Sequence, residues 1–145
     1  MSICALAGDS DFSEGIQTEF RNTLYDLIEN HGVNLFYMIF GGDFNLMAAE
    51  EMKKLINVYP ELCYEVFLCN IPYKEYDRFI SFYYNITIVD GEDGESREHG
   101  LKEMRESIID ASEYVITYVK SIGSDADDFK SMAEKKGKKI IELNK

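Results

Sequence analysis

Residues 35–42 of the chain read LFYMIFGG, an apolar run closed by a pair of glycines. A run that is apolar without alternation is typical of a strand buried on both faces, as in parallel sheets. Beyond the glycines, apolar residues recur at helical spacing from Phe44 through Ala48 to Leu55, and Asp43 is a suitable N-cap. This stretch therefore predicts a buried strand, a glycine turn and a helix in succession.

The same succession of a short apolar run and a longer helical segment recurs along the chain. Strands are predicted at residues 3–7, 35–40, 64–68, 86–89, 114–119 and 139–143. Such alternation is typical of parallel strands joined by crossover helices. We therefore expect an α/β fold, a Rossmann-like three-layer sandwich with a mostly parallel open sheet of about five strands.

The ends of the first and last helices can also be predicted. Asp11 and Glu14 have capping-box spacing before the first helix, and Gly32 suits a left-handed exit from it. Either Ser124 or Asp125 can cap the last helix.

The middle of the chain is the least regular part of the pattern. Residues 73–84 are interpreted as a short aromatic helix, and so dense an aromatic cluster is more often core or a dimer face than a platform for stacking bases. Residues 91–100, GEDGESREHG, combine glycines with strong charge and are interpreted as a flexible surface segment.

Length and charge limit the classes of function. The 145 residues are expected to form a single domain over residues 1–145. Lys and Arg total 15 against 27 Asp and Glu, which gives a formal net charge of −12. A surface of this charge repels nucleic acids and anionic membranes, and no stretch approaches the ~18 apolar residues of a membrane span. Neither nucleic acid nor membrane is therefore expected as a partner.

The cellular location is inferred from the cysteines and the N-terminus. Cys4, Cys63 and Cys69 are odd in number, lack CxxC spacing and sit in apolar runs, where buried thiols act as small hydrophobes. That usage favours a reducing compartment. Residues 1–12, MSICALAGDSDF, have no basic segment and too short an apolar run for a signal peptide. We therefore expect a cytoplasmic protein.

Glycines follow several of the predicted strands. Gly8 follows the first strand, Gly41 and Gly42 follow the second, and Gly123 follows the one that ends near Val119. Ligands of open α/β sheets bind at this edge, where glycine lets the backbone approach closely and helix N-termini attract phosphate. Glycine is also common at such turns for steric reasons alone. Together the turns predict a pocket for a nucleotide-like ligand, although neither a Walker loop nor GxGxxG is present.

Several stretches carry a resemblance to a known family. They are ICALAG at residues 3–8, FGG followed by FN at residues 40–45, IIDASEYVITYV at residues 108–119 and GSDADDFKSMAEKKGKKIIEL at residues 123–143. In order and spacing the chain resembles the SLOG superfamily, a Rossmann-like group that includes lonely-guy phosphoribohydrolases, DNA-processing protein A and the YpsA-like proteins. The resemblance covers almost the whole chain. It implies a nucleotide-type pocket lined by Gly8, Gly41, Gly42, Asn45 and Gly123, and, with the aromatic cluster, a homodimer.

The chain departs from the family's pattern at charged positions. Asp9 and Ser10 stand where relatives tend to place His and Arg, so a cation that could meet phosphate is missing. Arg105 lies one place after the family's arginine position, which Met104 holds, and one place on a helix is a rotation of ~100°. The sequence therefore leaves open whether Arg105 points into the family's pocket or away from it. The candidate ligand-binding residues are Gly8, Asp9, Gly41, Gly42, Asp43, Asn45, Arg105, Gly123 and Ser124.

The resemblance does not carry over the residues of the enzymatic branch. That branch cleaves a nucleoside monophosphate to base and ribose phosphate, and its motif is PGGxGTxxE with a nearby Arg-Lys pair. Counted from Gly123, this chain has Ser124 at the second glycine and Lys130 at the glutamate. No catalytic residue is assigned, and a non-catalytic role is favoured.

Carboxylates gather near the predicted edge of the sheet, and they have two interpretations. They are Asp9, Asp11, Asp43, Asp125, Asp127 and Asp128. Some could hold Mg²⁺ that bridges to a phosphate of a nucleotide ligand. Alternatively they flank helix N-termini, where a negative charge is stabilised by ~0.3–1 kcal/mol. We favour the second interpretation and assign no metal site. With two histidines and no HExxH, a zinc site is not expected.

Three hypotheses of function follow from these observations. The first is a non-catalytic module that binds a nucleotide or nucleotide-derived small molecule, for example as a sensor. The second is an enzyme acting on the N-glycosidic bond of a nucleotide. The third is an interaction protein whose pocket has degenerated. The missing arginine and glutamate weigh against the second, the acidic charge keeps the third open, and we expect the first.

Overall fold

The computed structural model describes residues 2–9, 11–39, 42–69, 86–89 and 94–143. The strands are β1 (Ser2–Gly8), β2 (Val33–Ile39), β3 (Cys63–Cys69), β4 (Ile86–Val89), β5 (Tyr114–Tyr118) and β6 (Lys139–Glu142). The helices are α1 (Glu14–His31), α2 (Gly42–Ile56), α3 (Gly94–Ala111) and α4 (Asp125–Lys135). Each predicted strand is present, with its bounds moved by at most a residue or two.

Within the described residues, the strands form a six-stranded sheet in the order β4-β3-β2-β1-β5-β6. Every neighbouring pair is parallel. The expected α/β, Rossmann-like fold is confirmed. The sheet is slightly larger than expected because the short strand β4 pairs with β3 along its whole length.

Helices cover both faces of the sheet. The helices α1 and α2 pack on one face, against a core that includes Phe20, Phe36 and Phe44. The helices α3 and α4 pack on the other face, around Val115 and Phe129. The strand order reverses between β1 and β5, so the chain leaves β1 towards α1 on one face and leaves β5 towards α4 on the other. This reversal is the topological switch point, where such sheets leave a crevice beyond the carboxyl ends of the strands.

The start of α1 differs from the prediction. Ser13, rather than Asp11, is the N-cap, and its Oγ accepts a hydrogen bond from the Ile16 N–H at 3.3 Å. Asp11 lies before the helix with a φ of 67°, because its carbonyl and carboxylate bind groups of the β5 end instead. At the other end of α1, Gly32 has a φ of 68° and donates its N–H to the Leu27 carbonyl, as its left-handed role predicts.

Two other predicted boundaries are wrong. The helix α2 begins at Gly42, so Asp43 lies in its first turn instead of capping it. The helix α3 begins at Gly94, so the described part of residues 91–100 is helical where a flexible segment was predicted. The glutamates and the arginine of that segment are good helix formers and extend the helix upstream. The aromatic helix predicted at residues 73–84 lies outside the described residues.

The start of α4 agrees with the sequence. Ser124, one of the two predicted caps, accepts a hydrogen bond from the Asp127 N–H at 3.2 Å. The acidic residues of the first turn, Asp125, Asp127 and Asp128, lie where the helix dipole stabilises negative charge. The second interpretation of these carboxylates is therefore the one that fits α4.

The cysteines and the helix composition add two observations. Cys4 is fully buried, and burial raises the pKa of its thiol, as expected for a structural cysteine. Cys63 is exposed, so its predicted burial is wrong; it opens β3 at the amino-terminal edge of the sheet. Among the helices in the described ranges, none combines the length and the apolar character that crossing a membrane requires.

Candidate functional site

The predicted glycines lie at one edge of the sheet. Gly8 is the last residue of β1, and Gly42 is the first residue of α2, which follows β2. Gly123 lies between β5 and α4 with a φ of 83°. Because all the described strands are parallel, their carboxyl ends meet at the same edge. Gly41 lies outside the described residues.

The space above Gly8 is filled by an aromatic ring of the chain itself. A β-carbon at Gly8 would overlap Cγ and Cδ1 of Phe44. The Phe44 ring is fully buried and stacks on Tyr118, with ring centroids 5.9 Å apart and an interplanar angle of 22°. It also meets Phe20 edge to face at 5.5 Å. Because Gly8 has no side chain, the Phe44 ring packs directly against its backbone.

Asp9 bridges β1 and β5 at the switch point. Its Oδ2 accepts hydrogen bonds from the N–H groups of Lys120 at 2.6 Å and of Ser121 at 3.0 Å. Its own N–H donates to the Tyr118 carbonyl at 2.8 Å. Partial burial raises the pKa of the Asp9 carboxyl, but the hydrogen bonds from Lys120, Ser121 and the Ser124 hydroxyl outweigh that effect and leave the pKa below its usual value. The carboxylate is thus held in its charged form by backbone N–H groups.

A second set of contacts holds the loop between β1 and α1 against the end of β5. The Tyr118 hydroxyl donates to the Asp11 carbonyl at 3.2 Å. The Lys120 ammonium donates to Asp11 Oδ2 at 2.8 Å and to the Asp11 carbonyl at 3.3 Å. The hydrogen bond and the charge of Lys120 lower the pKa of the Asp11 carboxyl, and Asp11 raises the pKa of Lys120 in turn. Asp9 and Asp11 therefore both contact residues at the end of β5.

Arg105 reaches the first turn of α4. Its Nη2 lies 3.4 Å from Oδ1 of Asp125, and its side chain is only 17% exposed. The side chain of Arg105 therefore extends from α3 to the edge of the sheet where α4 begins. At the same turn the Gly123 N–H donates to Asp127 Oδ2 at 2.9 Å. Arg105, Gly123 and Ser124 are brought together by α4.

Asn45 and Asp43 lie on the opposite face, in the first turn of α2. Asn45 is 8% exposed and its Nδ2 donates to the Ile39 carbonyl at the end of β2. Because that carbonyl can only accept, the amide oxygen points the other way, and this buried atom has no hydrogen-bond partner among the described residues. Asp43 lines a depression of about 510 Å³ together with Asp11, Phe12, Gln17, Leu46, Met47 and Glu50. The carboxylates of this depression disfavour a phosphate there.

Lys130, the residue counted at the glutamate of the enzymatic motif in the sequence analysis, forms an ion pair. Lys130 binds the Glu142 carboxylate, and Glu134 lies 3.9 Å from its ammonium. The hydrogen bond from Lys130 to Glu142 raises the pKa of the lysine. Nearby on the same face of the sheet, Thr117 is 1% exposed and its hydroxyl has no partner within the described ranges.

No group of three or more His, Cys, Asp or Glu side chains converges as potential metal ligands in the part of the chain that the structure describes. The carboxylates of Asp9 and Asp127 accept backbone N–H groups, and those of Asp11 and Asp125 face cations. These four carboxylates therefore bind donors or cations of the chain itself at this edge.

Sequence reasoning did not single out Lys120, Ser121 or Phe44. Lys120 and Ser121 directly follow the apolar run of β5. The end of that run is the signal in the sequence that would place these two residues at the edge of the sheet. Phe44 was counted as a core residue of α2, and nothing local in the sequence indicates that it packs on Gly8.

No protein-family model matches the chain, and a search of curated proteins gives no significant match.

Proposed function

We propose that the chain binds a small anionic molecule of the nucleotide type at the junction between the ends of β1 and β5. One observation carries the proposal: the consecutive N–H groups of Lys120 and Ser121 converge on one carboxylate oxygen, Oδ2 of Asp9. Adjacent N–H groups directed at one oxygen form a concave anion site of the kind that holds phosphate in many proteins. Geometry that holds the oxygen of a carboxylate is also suited to the oxygen of a phosphate.

The surroundings of these N–H groups support an anionic ligand. The Ser124 hydroxyl helps to lower the pKa of the same carboxyl, and Ser124 also begins α4, whose dipole favours negative charge at this end. Arg105 lies at the same turn through its contact with Asp125. A guanidinium that is largely shielded from water attracts an anion more strongly than one on the open surface.

A nucleotide is the class of ligand that fits both the position and the resemblance. In open α/β sheets the switch point is the place where nucleotides bind. The resemblance to the SLOG superfamily implies the same class of ligand. The acids of the α2 side accept hydrogen bonds, which suits the hydroxyl and amino groups of a nucleoside and excludes its phosphate from that side.

Thermal unfolding with a ligand panel tests the proposal. Nucleoside monophosphates, with and without Mg²⁺, should raise the melting temperature, because a ligand at 100 times its dissociation constant stabilises the folded state by about 2.7 kcal/mol. The matching nucleosides without phosphate should have a much smaller effect. Arg105→Gln should weaken the response, whereas Lys135→Gln, at the far end of α4, should not. A panel that leaves the melting temperature unchanged would contradict the proposal.

A second candidate function is an interaction protein whose crevice stays closed. It is favoured by the pairing of the edge's described donors with the chain's own carboxylates, and by Ile122, a large apolar residue that is 99% exposed in the turn before α4. An exposed isoleucine at such a turn is suited to burial against another protein. No response to any nucleotide, combined with a protein partner whose binding is lost in Ile122→Ser, would favour this second function.

A further inference from the structure

We infer that Asp9 is a built-in competitor of the ligand: its carboxylate occupies the anion site, and a ligand binds by displacing it. The inference rests on the proposed function and adds the regulation of that site. Its basis is that the groups expected to bind a ligand's anion already bind an anion that belongs to the chain.

The contacts of Asp9 resemble those of a bound ligand more than those of a local cap. Asp9 lies at the end of β1, whereas the two N–H donors that it binds, those of Lys120 and Ser121, belong to the connection between β5 and α4. The distances of 2.6 and 3.0 Å to the two N–H groups are those of charge-assisted hydrogen bonds. A phosphate oxygen has the same needs as this carboxylate oxygen, so the two cannot occupy the site together.

The loop that carries Asp9 is held in place by contacts that a ligand can replace. Asp11 has a φ of 67°, a region that non-glycine residues adopt only when their surroundings stabilise it. Its stabilising partners, the Tyr118 hydroxyl and the Lys120 ammonium, lie on the end of β5. Lys120 is thus bound by both acids, its N–H group by Asp9 and its ammonium by Asp11.

The competition predicts an order of affinities for a simple anion. Inorganic orthophosphate, titrated at constant ionic strength and followed by the NMR signals of the Lys120 and Ser121 N–H groups, serves as the probe. Asp9→Ala should bind orthophosphate about tenfold or more tightly than the parent, the factor that corresponds to removing one charge-assisted hydrogen bond. Asp9→Asn should lie between them, because the amide keeps an oxygen that accepts the same N–H groups but loses the charge.

Matched variants separate competition from a general effect of charge. Asp128→Asn removes a carboxylate from the exposed side of the first turn of α4 and should change the affinity less than twofold. Asp11→Asn weakens the loop's contact with Lys120 without touching the site, and should increase the affinity by less than Asp9→Ala does. If Asp9→Ala does not fold, Asp9→Asn and Asp11→Asn decide the question in its place.

The outcomes distinguish this inference from the proposed function. If the parent and the Asp9 variants bind orthophosphate or a nucleoside monophosphate equally well at Lys120 and Ser121, the competition is refuted and the anion site stands. If Asp9→Asn and Asp128→Asn increase the affinity equally, the effect is one of net charge and the competition is again refuted. If neither the parent nor any variant binds either probe at these N–H groups, both proposals fail.

Discussion

Gly8 and Asp9, neighbours at the end of β1, make different contacts at the edge of the sheet. Gly8 leaves the space that the Phe44 ring occupies, and Asp9 carries the carboxylate that bridges to β5. Both positions could be marked from the sequence, since a strand had to end there. The sequence does not show which side chain packs on Gly8, because Phe44 belongs to α2, a different element of the fold. The contact of Asp9 with Lys120 likewise joins residues that are distant in the chain.

The contact between Gly8 and Phe44 predicts the effect of a single methyl group. Gly8→Ala should lower the free energy of unfolding by about 1–3 kcal/mol, the usual cost of adding volume to a packed core, because the new Cβ overlaps the buried ring. Urea unfolding measures the difference. Gly15→Ala is the control, since its Cβ would lie 3.6 Å from Ser13 Oγ. It should be neutral or stabilising by up to about 1 kcal/mol, as alanine favours a helix. Equal stability of Gly8→Ala and the parent would contradict the packing described.

At the scale of elements, a buried carboxylate joins α1 and α2. Glu51 of α2 is 2% exposed and accepts hydrogen bonds from Gln17 Nε2 at 2.9 Å and from the Arg21 guanidinium at 2.9 and 3.0 Å. The hydrogen bond from Arg21 is the main reason that the pKa of Glu51 lies below its usual value, since it and the remaining partners outweigh the effect of burial. The contact fixes the helices that follow β1 and β2, and with them the loops at the carboxyl edge.

Glu51→Gln should make this contact measurable through its pH dependence. At pH 7 the variant should be about 1–2 kcal/mol less stable, because the hydrogen bonds from Arg21 lose their charged acceptor. A carboxyl whose folded pKa is lowered stabilises fully above its unfolded value, here 4.5, and loses that contribution as the pH falls through the folded pKa. The difference between parent and variant should therefore shrink between about pH 5 and about pH 3.

Chemical unfolding of both proteins across this pH range is the measurement. Glu50→Gln, on the exposed side of the same helix turn, is the control and should stay within about 0.5 kcal/mol of the parent. A stability difference for Glu51→Gln that does not change between pH 7 and pH 3 would show that the charge of Glu51 contributes nothing to the contact.

The elements differ in how far they could be predicted, and the reason is the range of the interactions that set them. The Gly32 and Ser124 caps depend on hydrogen bonds within a few residues, so the sequence indicates them directly. The start of α1 was missed because Asp11 is held by the distant Tyr118 and Lys120. The sequence did not predict the start of α3 at Gly94, because the glycines of this segment are typical of a loop although the residues between them favour a helix.

At the scale of the whole molecule, the fold determines where the candidate site lies. The excess of acidic residues determines which groups bind its donors when no ligand is bound. The alternation of strands and helices predicts a parallel sheet, and the reversal of strand order between β1 and β5 in that sheet locates the crevice. With 27 acidic residues against 15 basic ones, the chain supplies carboxylates that bind donors at this edge, among them the N–H groups of Lys120 and Gly123. These pairings arise between loops that meet only in the folded chain, so the sequence could indicate where the crevice lies but not that it is occupied.

The central claim is that the N–H groups of Lys120 and Ser121 form the anion site of the molecule. The most direct test is an NMR titration of the unmodified protein with a nucleoside monophosphate, using the matching nucleoside as the reference. The signals of these two N–H groups should move first and saturate with the monophosphate, whereas the nucleoside should leave them in place. Signals that move elsewhere while Lys120 and Ser121 remain still, or a spectrum that does not respond at all, would contradict it.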